Sequence, residues 1–379
     1  MRQAMTLARP DARDQTLLLV GGGHAHVAVL ADWIRRSPPP AVRMVLLTPH
    51  RHLRYSGMVP GWLAGQHARD AGLVDLQALA ARAGAEWANA ACVRLDAQAR
   101  VAYTDSGEAI AFDFASLGTG GTGRGAALLG DDPRLVDVRP IDGLVDRLAR
   151  WREPRHVVVV GGGAGGVELA FGLRNFAAAA RPPKVTLVAG RDGLLPGFAP
   201  AVKRRLSAAL ARQGIAVIVE DARIEGRAIM AGGVSLELAE LIVTALGSAA
   251  PAWLAQSGLA VDAGGFVLVD SHQRSVSHPH ILAAGDVAAR ADRPLAHSGV
   301  HAVFAGPVLA ANLRKLLAGE APCKTYQPRA NSLYLINTGD GSAIASYGPL
   351  SAEGRWVLRC KHAIDRRWVA KYAAIANRA

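Results

Sequence analysis

The chain has 379 residues, half of them hydrophobic and a fifth charged, so it is too apolar to be disordered and long enough for roughly two or three domains. Its formal charge of +12 comes from 43 basic residues spread along the chain, 37 of them arginine, with no aromatic–basic signature or recognition-helix motif, which excludes nucleic acid as the expected partner. Cys92, Cys323 and Cys360 stand far apart, which excludes a Cys-x-x-Cys dithiol and a cysteine zinc site and points to a reducing compartment.

The first residues, Met1 to Gln15, mix both charge signs and lack an apolar signal core. No run of about eighteen uncharged apolar residues exists to span a bilayer, so the expected address is the cytoplasm. A strand is predicted at Thr16–Val20, then the turn Gly21-Gly22-Gly23-His24-Ala25-His26 and a helix to about Arg36. Ser37–Pro40 breaks that helix, and a second strand follows at Val42–Thr48, which together open a doubly wound βαβ unit. A loop rich in His, Gly and Pro runs from Pro49 to Gln66. After it, Leu73–Ala83 has the apolar spacing of a helix, Trp87–Phe112 alternates like a β-meander, and Phe114–Gly118 reads as a returning strand.

A second unit begins near Asp142. Its strand Val157–Val160 runs into Gly161-Gly162-Gly163-Ala164-Gly165-Gly166, 140 positions after the first such turn. Strands are predicted at Lys184–Val188, Ile215–Glu220 and Leu241–Leu246, with a helix at about Pro200–Arg212, where proline suits the first turn. Beyond Gly265 the strand Phe266–Val269 and the segment His280–Asp286 return to the first domain, and a C-terminal unit starts near Ala321. Between Arg355 and Ile375, Val357, Ile364, Trp368, Tyr372 and Ile375 make one helical stripe, with Arg359, Lys361, Arg366, Arg367 and Lys371 around it. A basic amphipathic helix of this kind suits an anionic membrane, a docking partner or the protein's own body, and the sequence leaves the three open.

The two glycine turns carry the chemistry. One glycine makes the tight turn, a second lets the backbone approach a pyrophosphate, and a third lets helix and strand pack closely. The helix N-terminus then offers unpaired N–H groups and partial positive charge to the phosphates. The second copy has all three as Gly161, Gly163 and Gly166; the first has Gly21 and Gly23, with His26 in the third place. Two such sites in one chain point to electrons passing from one dinucleotide to another. The pairs His24/His26 and His50/His52 have His-x-His spacing but no Asp, Glu or Cys beside them, and no metal site is assigned.

With the apolar-Gly-Asp segment ending at Asp286, these turns resemble the two-dinucleotide-domain flavoproteins of the pyridine nucleotide–disulfide oxidoreductase superfamily. Gly21–His26, the stretch Pro49–His52 through Tyr55–Gly61, and Lys361–Arg367 resemble more closely the flavoprotein domain found fused to selenide, water dikinase; type II NADH:quinone oxidoreductases are further relatives. The resemblance implies an α/β fold of two Rossmann-like, doubly wound, three-layer dinucleotide-binding domains, the second inserted in the first, plus a small C-terminal α+β region. The expected division is an FAD-binding domain at residues 1–140 and 263–320, an NAD(P)-binding domain at 141–262, and a C-terminal region at 321–379.

Carried onto this chain, the resemblance implies that Gly21, Gly23 and the N–H groups of His24, Ala25 and His26 hold the FAD pyrophosphate. Asp286, after Gly285, would bind a ribitol hydroxyl, and the helix beginning near Ser298 would aim its N-terminus at the flavin's pyrimidine edge, where charge gathers on reduction. Gly120 matches the crossover near FAD loosely. His50 is expected against FAD, Tyr55 and Ser56 on a loop approaching the flavin ring. Neither Rossmann unit ends its second strand in the usual ribose-binding acid. In the FAD site Thr48 or a backbone group is the substitute; in the NAD(P)H site Arg191 either meets the 2′-phosphate of NADPH or is a solvated loop residue. Glu168, two residues after the second turn, is the candidate catalytic carboxylate, with a dipole-stabilising acid in the helix's first turn as the alternative.

The function expected is an FAD-dependent oxidoreductase taking hydride from NAD(P)H and passing electrons to a quinone or other small acceptor. Peripheral membrane contact through the C-terminal helix is part of that expectation. An accessory flavoprotein of selenium metabolism is the alternative, with sulfide or selenide oxidation below it because that chemistry needs cysteines at the flavin.

Overall fold

A computed structural model describes residues 15–151, 155–329 and 331–377; the reading of the first residues lies outside them, apart from Gln15. The chain divides into two compact units. One comprises residues 1–51, 76–120 and 251–327, the other residues 52–75, 121–250 and 328–379. The stretch 52–75 and the C-terminal stretch thus group with the second unit.

The first unit is built on a five-stranded parallel sheet in the order Ile281–Ala283, Phe114–Leu117, Gln15–Val20, Val42–Leu47, Ala85–Ala88. Its central strand is apolar at every position from Leu17 to Val20, and all four side chains are buried, the pattern of a strand covered on both faces. The helix His24–Arg36 leaves the first glycine turn and packs along the helix Gly299–Leu317. Their approach is close: a β-carbon at Gly306 would lie 2.7 Å from the Ala28 side chain and 3.2 Å from the Ala25 backbone.

The second unit repeats the plan with the order Leu135–Asp137, Leu241–Thr244, His156–Val160, Lys184–Val188, Ala216–Ile218, again all parallel. In both sheets the strand that feeds the glycine turn is central, and the chain crosses from one side of it to the other. That topological switch point is where doubly wound sheets bind ligands. The core of this unit packs Leu144, Val157, Phe171, Leu187, Leu206 and Ile344 together, all fully buried. Its C-terminal part is a three-stranded antiparallel sheet, Tyr334–Asn337, Ala343–Tyr347 and Leu350–Gly354, followed by the helix Arg355–Asn377.

Two local expectations are corrected. The predicted helix Leu73–Ala83 is a strand, Leu73–Asp75, and then a helix, Leu76–Arg82. The strand pairs antiparallel with His52–Arg54, a long-range contact that outweighs the helical spacing of Leu73 and Leu76. The terminal stripe is also rearranged. Val357, Leu358, Lys361, Asp365, Val369, Tyr372 and Ala376 are buried positions of the last helix, whereas Ile364 is 49% exposed. Lys361, expected among the surface charges, is buried because it lies one turn from Val357 on the inward face.

Candidate active site

In the first unit, Gly21 has a φ of +93°, and a β-carbon there would meet the backbone of Thr119 at 2.6 Å. One at Gly23 would lie 2.4 Å from the Gly118 carbonyl oxygen, while the Gly23 N–H donates to that same oxygen at 3.2 Å. The turn is thus pinned to the neighbouring crossover by backbone contact, and Gly23 caps the helix with its own side chain absent. Thr48 is buried beneath the turn, its hydroxyl 3.3 Å from where a Gly22 β-carbon would begin, and it accepts from the His50 N–H.

His26 faces inward. It is fully buried, with Nδ1 2.6 Å from the Gly21 carbonyl and Nε2 2.9 Å from the Ser116 hydroxyl. A carbonyl only accepts, so Nδ1–H donates to it and Nε2 accepts from Ser116. Burial lowers both His24 and His26 to about 4, which keeps them neutral at pH 7. The ring in the third-glycine place therefore ties the turn to the strand Phe114–Leu117. It fills the space where Gly118 leaves room: a β-carbon at Gly118 would be 2.8 Å from the ring.

At the other end of this unit, Gly285 (φ +79°) brings Asp286 beside the helix that starts after Ser298, with Ala302 3.2 Å from a Gly285 β-carbon. Ser298 caps that helix, and its hydroxyl is buried with no hydrogen-bond partner among the described residues. A buried hydroxyl without a partner costs free energy unless a ligand satisfies it. The partner-seeking Ser298 and the backbone-lined turn both fit FAD. His301 is held by the Tyr326 hydroxyl at 2.8 Å.

In the second unit, a β-carbon at Gly166 would sit 2.0 Å from the Gly161 carbonyl oxygen, whereas one at Gly163 or Gly165 would meet nothing within 4 Å. The third glycine is needed for packing, and the first positions of the helix Ala164–Arg174 open into room for a phosphate. Arg191 lies on the loop after Lys184–Val188, where its Nε is 3.4 Å from Glu220 and 3.3 Å from Asp221.

Glu168 sits in the second turn of that helix rather than its first, so the capping-acid alternative does not describe it. Its Oε1 accepts the Asn337 N–H at 2.9 Å and lies 3.5 Å from the Lys361 Nζ. Lys361 also lies 3.4 Å from Asp365, to which the Tyr55 hydroxyl hydrogen-bonds. Tyr55 stacks on Trp368 with ring centres 4.8 Å apart, and His67 meets His362 edge-on at 4.3 Å. Burial pushes Glu168 above the ordinary carboxylate range, with Lys361 opposing, and does the same to Asp365. Burial alone would lower Lys361, but the two carboxylates outweigh it and hold the ammonium charged. Burial and then Asp365 raise the Tyr55 phenol to about 12.

The structure brings Tyr55 and Glu168 into one cluster, and adds Asn337 together with Lys361 and Asp365, which the sequence marked as part of a family motif but not as site residues. The signal for two of them was the i, i+4 spacing of Val357, Lys361 and Asp365. His24 and His26 belong to the first unit, and His52 lies in the second, 3.8 Å from Asp75.

The fold is that of a flavin- and nicotinamide-using oxidoreductase. The chain belongs to the pyridine nucleotide-disulphide oxidoreductase family, whose model matches residues 15–306. Its cofactors are FAD and NAD(P)H. Ferroptosis suppressor protein 1 of Xenopus laevis is 24% identical over 290 residues, 71% of this chain and 72% of that protein. Among solved structures, the sulfide:quinone oxidoreductase of Aquifex aeolicus aligns with a TM-score of 0.75 at 16% identity, covering 95% of this chain and 92% of that one. The ferredoxin reductase of Rhodopseudomonas palustris gives 0.70 at 22%, covering 87% and 81%. An engineered water-forming NADPH oxidase bound to NADPH gives 0.71 at 18%, covering 87% and 75%.

Proposed function

We propose that this protein is an FAD-dependent NAD(P)H dehydrogenase that passes electrons to a quinone or another small acceptor. The observation that carries the reading is the pair of glycine-turn cradles, one in each unit, on sheets that share the order of four of their five strands. A bound FAD would supply the chemistry of hydride acceptance from the nicotinamide and of electron delivery to the acceptor. The chain's part is to bind, orient and manage protons. Gly21 and Gly23, with the N–H groups of His24 and Ala25, anchor one pyrophosphate, and Gly161 and Gly163 the other. Ser298 and Asp286 offer their oxygens to the flavin's sugar and ring.

Glu168 is the proposed catalytic carboxylate. Acceptor reduction consumes two electrons and two protons, and hydride brings only one of the protons. Two buried carboxylates face one ammonium, so the Glu168–Lys361–Asp365 cluster has one net negative charge when ionised and none when one carboxyl keeps a proton. Burial raises both carboxyls against the pull of Lys361, which favours keeping a proton at a carboxyl oxygen of the cluster.

No helix among the described residues is long and apolar enough to cross a membrane. The outer face of Arg355–Asn377 exposes Trp356 and Ile364 among Arg355, Arg359, Arg366, Arg367 and Lys371, with no acid on that face. This supports contact with an anionic membrane surface, where a quinone dissolves. Chalcogenide oxidation is set aside: Cys92 is held unreactive by burial, its thiol pushed up to about 11, and Cys323 and Cys360 are exposed singly.

The test is anaerobic titration of the yellow protein with NADH and NADPH, following visible absorption. Bleaching by either donor is expected. Absence of bleaching in protein that dithionite still reduces would overturn the reading and favour a non-catalytic accessory flavoprotein.

A further inference from the structure

The second unit lacks an acid where dinucleotide sites usually have one. The strand Lys184–Val188 ends in Ala189-Gly190, and neither residue has a side chain that can accept a hydrogen bond from a ribose. The neighbouring strand Ala216–Ile218 supplies what is missing. The two pair in parallel, with Val188 opposite Ile218 and the Ala189 N–H donating to the Ile218 carbonyl at 2.8 Å. Two residues further on, Glu220 and Asp221 therefore come alongside Gly190 and Arg191. A β-carbon at Gly190 would begin 3.4 Å from Asp221 Oδ1, and that oxygen accepts the Arg191 N–H at 3.2 Å. The carboxylate has reached the place from which an acid at the end of the first strand would extend.

This loop also borders the phosphate-binding turn. Leu195 N–H donates to the Gly162 carbonyl at 2.8 Å, and a β-carbon at Gly162 would collide with the carbonyl oxygens of Gly193 and Ala189. Arg191, Glu220 and Asp221 are 76%, 48% and 63% exposed, open to a ligand. By charge the group is one guanidinium against two carboxylates. A ribose diol donates to carboxylates, whereas a 2′-phosphate must compete with both for Arg191 and is repelled by each.

Resting on the dehydrogenase reading, we propose that Glu220 and Asp221 replace the missing ribose acid and select the unphosphorylated nucleotide, NADH over NADPH, by occupying Arg191. The acids come from the third strand of the unit rather than the second. Arg191 is then the residue through which the preference can be reversed.

The experiment is calorimetric binding of ADP-ribose and 2′-phospho-ADP-ribose to the flavin-loaded protein. ADP-ribose is expected to bind about tenfold more tightly, the scale of one charge contact in an exposed site. The double variant Glu220→Gln, Asp221→Asn is expected to equalise or reverse that ratio, and adding Arg191→Ala to weaken the phosphorylated fragment again. All three side chains are exposed, so the thermal midpoint should stay put and report a folded protein. Equal or tighter binding of the phosphorylated fragment by the unaltered protein would overturn the proposal, as would an unchanged ratio in the double variant or no binding of either fragment. If ADP-ribose binds as expected but neither nucleotide bleaches the flavin, the dehydrogenase reading fails and the ribose assignment stands.

Discussion

Lys361 places its ammonium 3.5 Å from Glu168 and 3.4 Å from Asp365, in a site where its own side chain is only 9% exposed. Either carboxylate can balance its charge, whereas theirs is offset only while the ammonium is there. Lys361→Met keeps the length and removes the charge, leaving two buried acids without a counter-ion. Loss of about 3–5 kcal/mol in urea denaturation at pH 7 is expected. The deficit should shrink in acid, because a carboxyl whose folded pKa is raised stabilises the fold below its unfolded value and loses that contribution as pH rises.

Glu168→Gln tests proton handling. The amide oxygen can still accept the Asn337 N–H, so the fold should persist. If the carboxyl manages the proton, acceptor reduction slows by about 100-fold or more, while the apparent affinity for NAD(P)H changes little. Stopped-flow separation of the two half-reactions reads this directly; an unchanged oxidative half-reaction would remove Glu168 from the chemistry.

The second glycine turn offers a paired test. A β-carbon at Gly163 meets nothing, whereas one at Gly166 meets the Gly161 carbonyl at 2.0 Å. Gly163→Ala is expected to keep the thermal midpoint and weaken nucleotide binding about tenfold or more, because the methyl fills ligand space. Gly166→Ala should lower both, since helix and strand must separate. Equal effects from the two would mean that the open space is not where the nucleotide lies.

His26 predicts an acid sensitivity. Burial lowers it from 6.5 to about 4, so its contribution is complete above 6.5 and is lost as pH falls toward about 4. The size is on the order of 3 kcal/mol across that window. In urea denaturation at pH 7 and pH 4.5, His26→Gln should show the smaller difference between the two. A variant as acid-sensitive as the parent would show that other groups govern the transition.

Charge reversal on the last helix tests the membrane contact. Arg359→Glu with Arg366→Glu and Arg367→Glu is expected to cut cosedimentation with anionic vesicles by about 100-fold or more, at roughly 1 kcal/mol per basic residue. Binding to neutral vesicles should be weak for both proteins. Equal sedimentation of parent and variant would turn attention to the helix as a protein-docking face.

The central strands and glycine turns were legible because their signals are local: four consecutive buried apolar residues, then glycines where a side chain would strike backbone. The same locality explains the failure at Leu73–Ala83, where helical spacing was real but pairing with His52–Arg54 claimed the first three residues. Lys361 and Asp365 were hidden for a related reason. Charged side chains on a helix are normally solvated, and nothing local reveals that Glu168, far away in sequence, faces them.

The sequence by itself determined the two glycine turns, the parallel sheets that carry them and the family to which the chain belongs, because each follows from backbone rules acting within about ten residues. Only the tertiary structure decided that Arg191 meets two acids from the end of a neighbouring strand, that His26 is spent on Gly21 and Ser116, and that a lysine of the last helix is shared between two acids. These depend on which distant segments pack together, and a charge takes its role from the burial and partners that packing creates.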